Sequence, residues 1–363
     1  MSKQNLIDDA KSAKCQRLKK KISAVDRELV QMLETRLELT LRLAKQQTID
    51  PCACIEETVK ELESRCSEIL DPELVKSTYE GLLKAVDGLR ERGTQLVGFQ
   101  GEHGAYGEVA SRALVPGGAY MPCLEFVDVF DGVENGLFDL GVVPVENSLE
   151  GAVTQVNDLL TRTPLKVIGE VKVPIHHCLL APKGVDLDDI RIVYSHPQAL
   201  AQCREFLLKH RYEARPFYDT AGAAKMIDRQ RPLATAAIAS KLCSKLYGLK
   251  IVRERIEDAD SNTTRFQLIS KTPFTGEGEK CSIIFGVSHS AGSLQSVLNL
   301  FADAGINLTR LASTPHKQDP GNYTFFCDFE GSDRDPVIRN VLDEIDRRTK
   351  EMVFLGCYPK STA

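Results

Sequence analysis

Between Cys15 and Asp50 the chain contains no glycine and no proline, and Leu18, Ile22, Val25, Leu29, Met32, Leu33, Leu39 and Leu43 recur there at three- and four-residue steps. That spacing lines one face of an α-helix. It predicts a helix of roughly 30 residues, near 45 Å at about 1.5 Å per residue. Asp50-Pro51 ends it, because the residue before a proline is pushed out of the helical region. A second helix is expected from Ile55 to Leu70, and Asp71-Pro72 supplies an N-cap and a first-turn proline for a third, reaching Glu91. So long an apolar stripe cannot be covered inside a small three-helix unit, so a partner subunit, and hence a homo-oligomer, is expected. Gly93 marks the end of this all-α part.

From Gln95 the period changes. Short β-branched runs (Leu96–Phe99, Gly141–Val143, Val167–Ile168, Arg191–Tyr194, Ala236–Ile238) alternate with helical segments such as 151–160 and 197–210. This is the pattern of βα units around a largely parallel sheet, in one body or two lobes. A polar linker, Thr272–Glu279, precedes a unit whose elements run strand, helix, strand, strand, helix, strand between Cys281 and Leu355, a ferredoxin-like α+β order. The expected domains are 1–92, 93–272 and 280–358.

Composition excludes several function classes. A net charge of −5 offers no basic field for nucleic acid, and no apolar run approaches the ~20 residues of a membrane span. The polar, lysine-rich start lacks the apolar stretch of a secretory signal, so the cytoplasm is expected. Eleven scattered cysteines with no CxxC pair read as reduced thiols rather than a disulfide or zinc framework; no metal is expected.

Three strand-to-helix junctions are unusually polar: Gly101–Gly107, Pro144–Gly151 and Ser195–Gln198. Ligands of open α/β sheets sit beyond the carboxyl ends of strands, and free N–H groups at helix starts favour anions. Together the junctions describe a pocket for a small carboxylate. Each has a plainer reading. Asn147, Ser148 and Ser195 are good helix caps, Arg265 suits a structural ion pair, and His176-His177 suits a packed core.

These segments carry a resemblance. Gly141-Val-Val-Pro-Val-Glu-Asn-Ser-Leu-Glu-Gly151 with Gln155 and Asp158, Tyr194-Ser-His-Pro-Gln-Ala-Leu-Ala-Gln-Cys203, Leu246–Leu249 and Asn262-Thr-Thr-Arg-Phe266 resemble, in order, four motifs of the prephenate dehydratases. The Gly101–Ala110 loop is similar to the family's opening loop, with Glu102 where a proline is usual. The resemblance implies a two-lobed α/β fold like the periplasmic binding proteins, with Pro174 near a crossing between lobes. It implies decarboxylating dehydration of prephenate to phenylpyruvate in L-phenylalanine biosynthesis. Aromatisation drives that reaction, so no cofactor is expected. Carried over, the catalytic residues are Thr264, Asn147, Ser195 and Gln202, and the substrate contacts are Glu146, Ser148, Arg265, Gly104 and Tyr106. Thr264 is the expected donor to the departing hydroxyl, and Arg265 a carboxylate clamp. In a regular strand the two point to opposite faces, so both serve only if the strand begins or bulges there.

The flanks resemble partners fused to this family. Leu18–Ala44 is similar to the first helix of the all-helical chorismate mutases, with Arg36 at an active-site arginine, Lys19 where a second arginine is usual, Gln47 where a lysine is usual, and Pro51–Ile55 in place of an acidic-basic segment. Lysine lacks arginine's bidentate fork. The unit therefore reads either as a mutase, taking chorismate as a further substrate, or as a dimerisation module. Residues from Cys281 to Tyr358 resemble an ACT domain, implying L-phenylalanine as effector at Gly292, Ser293, Leu294, Asn307 and Leu308, although Ala312–Pro315 lacks the usual Glu and Arg. A competing reading is a non-catalytic small-carboxylate sensor on the same fold.

Overall fold

A computed structural model describes residues 3–46, 58–62, 64, 69–288, 290–315 and 323–360. Its chain forms two compact units, Met1–Gly93 with Lys225–Leu233, and the remainder.

In the first unit helix α1 (Lys3–Lys45) begins fifteen residues before Leu18, the first residue of the apolar stripe, because its polar opening turns contain no helix breaker. Helix α2 (Pro72–Glu91) starts as its sequence dictates: Asp71 Oδ1 accepts the Glu73 N–H at 3.0 Å, with Pro72 in the first turn. Of the expected second helix, residues 58–62 are helical; most of the rest, like Gln47 and Pro51–Ile55, lies outside the described residues.

The second unit holds three sheets. Strands β1 (Leu96–Gln100), β2 (Ala119–Cys123) and β3 (Leu140–Asn147) pair in parallel, with helix α3 (Tyr106–Leu114) after β1 and α4 (Phe126–Glu134) after β2. A two-residue strand β4 (Gly151–Ala152) folds back on β3, and helix α5 starts only at Thr154 (Thr154–Leu160), so the segment read as helix from Gly151 opens as a short strand. Strand β5 (Lys166–Pro174) closes the first lobe. The chain then crosses to a second sheet of β6 (Cys178–Ala181), β7 (Ile192–Ser195), β8 (Glu213–Pro216), β9 (Thr235–Ala239) and β10 (Lys250–Arg253), in the order β10-β6-β9-β7-β8. Its helices are α6 (Pro197–Gln202), α7 (Arg204–His210), the opening of α8 (Thr220–Gln230), whose residues from Lys225 belong to the first unit, and α9 (Lys241–Leu246). The expected single helix over 197–210 breaks at Cys203 because Asp258 intervenes: its N–H donates to Gln202 O at 2.7 Å, and its carboxylate accepts the Glu205 N–H.

The chain returns after β10 to insert β11 (Thr263–Ser270) between β3 and β5, antiparallel to both. Both sheets are therefore mixed rather than largely parallel. The two crossovers lie side by side, with Ile175 N–H on Asn262 O at 2.9 Å and Ile256 N–H on His177 O at 3.1 Å. Each lobe has its own core, around Val97, Val142 and Phe266 in the first and Leu179, Val193 and Ile238 in the second.

The third sheet, from β12 (Lys280–Val287), β13 (Leu308–Pro315), β14 (Tyr323–Glu330) and β15 (Glu351–Tyr358), carries helices α10 (Ser293–Asp303) and α11 (Pro336–Arg348) over a core of Phe285, Phe301 and Phe329. It is the βαββαβ order expected. Strand β15 presses on β5: a Cβ on Gly356 would sit 2.3 Å from Val167 O, and its φ of +151° admits only glycine without strain.

Candidate active site

A cavity of about 150 Å3 opens where the crossovers meet the helix starts. Tyr106 of α3, Asn147 at the end of β3, Ile175 and His177 of the first crossover, His196, Gln198, Ala199 and Gln202 around α6, Thr220 of α8, and Asn262 and Thr264 at β11 line it. None of these side chains carries a carboxylate, ammonium or guanidinium group. Its polar groups are amides, hydroxyls and two imidazoles, set beside the aliphatic Ile175 and Ala199.

The hairpin from β3 to β4 fixes the amides. Asn147 Oδ1 accepts two backbone N–H groups, of Leu149 at 2.9 Å and Glu150 at 3.1 Å. Its NH2 therefore faces the other way and donates to Thr264 Oγ1 at 2.9 Å and Asn262 Oδ1 at 2.8 Å. Asn262 Nδ2 in turn donates to Gln202 Oε1 at 3.2 Å, and Gln202 Nε2 to Glu150 Oε1 at 3.2 Å. An amide NH2 only donates, so the Thr264 hydroxyl accepts from Asn147 and keeps its own hydrogen. Among the described residues no acceptor takes that hydrogen, and the side chain faces the cavity.

Asn147, Gln202, Thr264 and Tyr106 are thus brought together. The five other expected residues, Ser195, Ser148, Gly104, Arg265 and Glu146, do not line it. Ser195 is fully buried at the end of β7 and donates to Ile238 O at 2.6 Å; His196, not Ser195, caps α6 by accepting the Gln198 N–H. Ser148 Oγ ties β3 to β11, donating to Ser261 O and accepting the Thr263 N–H. Gly104 is a hinge of packing: its φ is +93°, and a Cβ there would meet Cys243 Sγ at 2.4 Å. Arg265 turns away from the cavity, as strand alternation requires. A register shift against β3 follows it, but does not reverse its side.

Arg265 enters a buried ionic cluster under the third sheet. Its guanidinium lies 2.8 Å from Glu170 Oε2 and 2.6 Å from Asp328 Oδ2. Lys280 Nζ holds Glu170 Oε1 at 2.8 Å, and Ser282 Oγ donates to Asp328 Oδ1 at 2.6 Å. Arg310 Nη2 reaches across to Val145 O and Asn157 Oδ1. Glu146 points here too, 3.5 Å from Arg265 Nε and 3.9 Å from Arg310 Nε. Arg265 and Glu146, expected as substrate contacts, thus stand on the side of the third sheet and do not line the cavity. Burial alone would raise the Asp328 pKa, but Arg265 and Arg310 outweigh it and hold the carboxyl below its ordinary value.

A second concavity, about 300 Å3, lies in the third sheet's domain between Val287, Ser290, Ser293, Leu294, Tyr323 and Phe325. Of the expected effector contacts Ser293 and Leu294 line it. Gly292 is the left-handed N-cap of α10, Asn307 donates to Glu330 Oε2 at 3.4 Å, and Leu308 packs on the core. In the helical unit Arg36 donates to Thr40 Oγ1 and its guanidinium stands 5.7 Å over the Tyr79 ring, while Lys19 is exposed.

Asn262 and His177 were not singled out from sequence as site residues. Asn262 was discoverable: two residues before Thr264, it lies on the same side of an extended chain.

The chain matches the prephenate dehydratase family model over residues 97–273 and the ACT domain model over 282–347. It is 40% identical over 278 residues to arogenate dehydratase/prephenate dehydratase 2, chloroplastic, of Arabidopsis thaliana, covering 73% of each chain. It is 36% identical to the bifunctional N-acyl-homoserine lactone acylase/prephenate dehydratase of Komagataeibacter europaeus, covering 74% of this chain and 97% of that one. The crystal structure of prephenate dehydratase from Arthrobacter aurescens in complex with L-Phe superposes with a TM-score of 0.66 at 30% identity, over 73% of this chain and 89% of that one. With two lobes, an amide-lined cleft at their crossovers and an ACT domain against the sheet of the first lobe, this chain belongs to the prephenate dehydratase family.

Proposed function

We propose that the chain converts prephenate to phenylpyruvate, with Thr264, Asn147 and Gln202 forming the reacting centre and Tyr106 contributing to substrate binding. The observation that carries this is the Thr264 hydroxyl, which accepts from Asn147 Nδ2 at 2.9 Å and has its own hydrogen left for a ligand. In prephenate the bond from ring carbon to carboxylate breaks to release CO2. Its electron pair enters the ring, and the C–O bond opposite breaks. The oxygen leaves as hydroxide and takes up one proton to become water. Negative charge grows on that oxygen, and a fixed donor in a site with little water stabilises it most there. Electrons and atoms balance without an oxidant or reductant. Neutral amide and hydroxyl donors suit the substrate's carboxylates by hydrogen bonding. Arogenate, with an ammonium in place of the keto group, is the second reading, favoured by the name of the Arabidopsis relative.

The ACT concavity suits L-phenylalanine as effector, supported by the L-Phe complex of the Arthrobacter relative. The exposed stripe Leu18, Ile22, Val25, Leu29 and Met32 on α1 supports pairing with a second copy of the chain, and Arg36, engaged with Thr40 and Tyr79, supports a dimerisation role over mutase chemistry. The eight free cysteines among the described residues support a reducing compartment such as the cytoplasm; no described helix is long and apolar enough to cross a membrane. The test is to incubate purified protein separately with prephenate, arogenate and chorismate, and to follow phenylpyruvate, phenylalanine and prephenate. No product from prephenate or arogenate refutes the dehydratase reading, and conversion of chorismate refutes the purely structural role of the helical unit.

A further inference from the structure

His177 is almost fully buried, 2% exposed, in the first crossover, and its ring lines the cavity. Its Nε2 stands 2.8 Å from Gln202 Oε1. The direction of that bond is fixed from the far side of the cleft. The Leu149 and Glu150 N–H groups orient Asn147, Asn147 orients Asn262, and Asn262 donates to Gln202 Oε1. Gln202 Nε2 is turned to the Glu150 carboxylate. Gln202 therefore offers His177 a carbonyl oxygen, and Nε2 must carry the hydrogen. The backbone around the ring is clamped as well. Glu257 Oε2 accepts the His177 N–H at 2.8 Å, and Glu257 Oε1 holds His176 Nδ1 at 2.7 Å. The Tyr106 hydroxyl donates to His176 O at 2.7 Å and lies 3.4 Å from His177 Nδ1.

We propose that His177, as its Nε2–H tautomer, is a positioning residue of the dehydratase site: it anchors Gln202 Oε1 and so holds the Gln202 amide in the cleft in the orientation that the Asn147–Asn262 chain sets. The inference rests on the dehydratase reading above. Without the imidazole, Gln202 Oε1 keeps only the longer bond from Asn262. The Gln202 amide is then free to rotate, and a rotated amide sets NH2 against NH2 at Asn262.

The test compares the full-length parent with His177→Phe, which keeps the ring's shape without its nitrogens, and His177→Gln, whose NH2 reaches the place of Nε2–H. Misplacing a reacting group by about an ångström costs on the order of a hundredfold, so kcat for His177→Phe is expected to fall about tenfold to a hundredfold with KM little changed. His177→Gln recovers most of that loss. Nitrogen NMR of 15N-histidine-labelled parent should show the resonance that disappears in His177→Gln to be protonated at Nε2. A role in packing alone would lower thermal stability without the kcat-against-KM split and without rescue by Gln. If His177→Phe does not fold, His177→Asn replaces it, because its amide reaches toward Nδ1 instead. Equal kcat for the Gln variant and the Phe or Asn variant, an unchanged kcat in His177→Phe, or an Nδ1–H tautomer overturns the inference while parent turnover leaves the dehydratase reading standing. Absence of parent turnover on both prephenate and arogenate overturns both.

Discussion

Replacing Thr264 by valine removes one hydroxyl and adds nothing to the side chain's outline. Two opposing ladders hold the backbone, with Thr264 opposite Asn147 on one side and Val173 on the other, so the strand should keep its place. Asn147 Nδ2 retains its 2.8 Å bond to Asn262, and one of its two hydrogens is left facing the cavity. An unmade bond of that kind costs about 1 kcal/mol of stability. Losing a fixed donor to a developing oxyanion costs about 2.7–4 kcal/mol of barrier, or roughly a hundredfold to a thousandfold in kcat. The kinetic term exceeds the folding term about threefold, so the two are separable. The assay is initial phenylpyruvate formation from prephenate at saturation, beside a thermal melt, with Thr264→Ser as the variant that keeps the hydroxyl. Thr264→Ser should stay close to the parent. If kcat of well-folded Thr264→Val falls by less than about tenfold, equivalent to 1.4 kcal/mol, the hydroxyl is not the donor and the reasoning from the Asn147 amide fails.

Ser195→Ala should leave kcat near the parent value while lowering thermal stability, since it strands the buried Ile238 carbonyl at a cost of about 1–3 kcal/mol; a hundredfold loss of kcat in folded protein would restore Ser195 to the catalytic set. Asp328→Asn removes the charge that Arg265 and Arg310 face, and breaking a buried pair costs about 3–5 kcal/mol, to be read as a lowered thermal midpoint. The Asp328 carboxyl is held below its ordinary value, so its contribution is present above the unfolded pKa of about 3.9 and lost as pH falls below that. The parent should therefore lose stability below about pH 4 more steeply than Asp328→Asn, and parallel curves would remove Asp328 from the account. L-phenylalanine should lower turnover of the parent, and Leu294→Arg, which fills the ACT concavity, should abolish the response without lowering basal kcat; an unaltered response would place the effector elsewhere.

Local pattern carried much of the architecture. The α1 stripe, the Asp71 cap, the strands β1, β3, β5, β7 and β9 and the βαββαβ order are written in periodicity and caps that span a few residues each. The junctions after β1, β3 and β7 were legible because glycines and polar residues interrupt apolar runs there. What was not legible depends on distance along the chain. Asn147 meets Asn262 across 115 residues, and Arg310 meets Asn157 across 153. Strand alternation showed that Thr264 and Arg265 oppose one another, but which face is the cleft depends on where the third sheet docks. Ser195 stands where a cap usually does, yet the strand turns its hydroxyl toward Ile238. His177 read as a core residue and is buried as one, and only its partner Gln202, 25 residues on, distinguishes it.

The linker Thr272–Glu279 divides the chain on paper, but the physical seam runs along β11. Thr264 serves the cleft, while Arg265 and Gln267 beside it belong to the ACT side, Gln267 reaching the Tyr358 hydroxyl at 3.5 Å. Cations and anions are shared across that seam, Arg265 and Glu170 from one half and Lys280, Arg310 and Asp328 from the other. A chimera spliced at the linker would join two polypeptides and mismatch their charges. The exchangeable module is the ACT domain together with the outward-facing residues of β5 and β11, so grafting a regulatory domain from a relative means recoding every second residue of the strand that also carries Thr264.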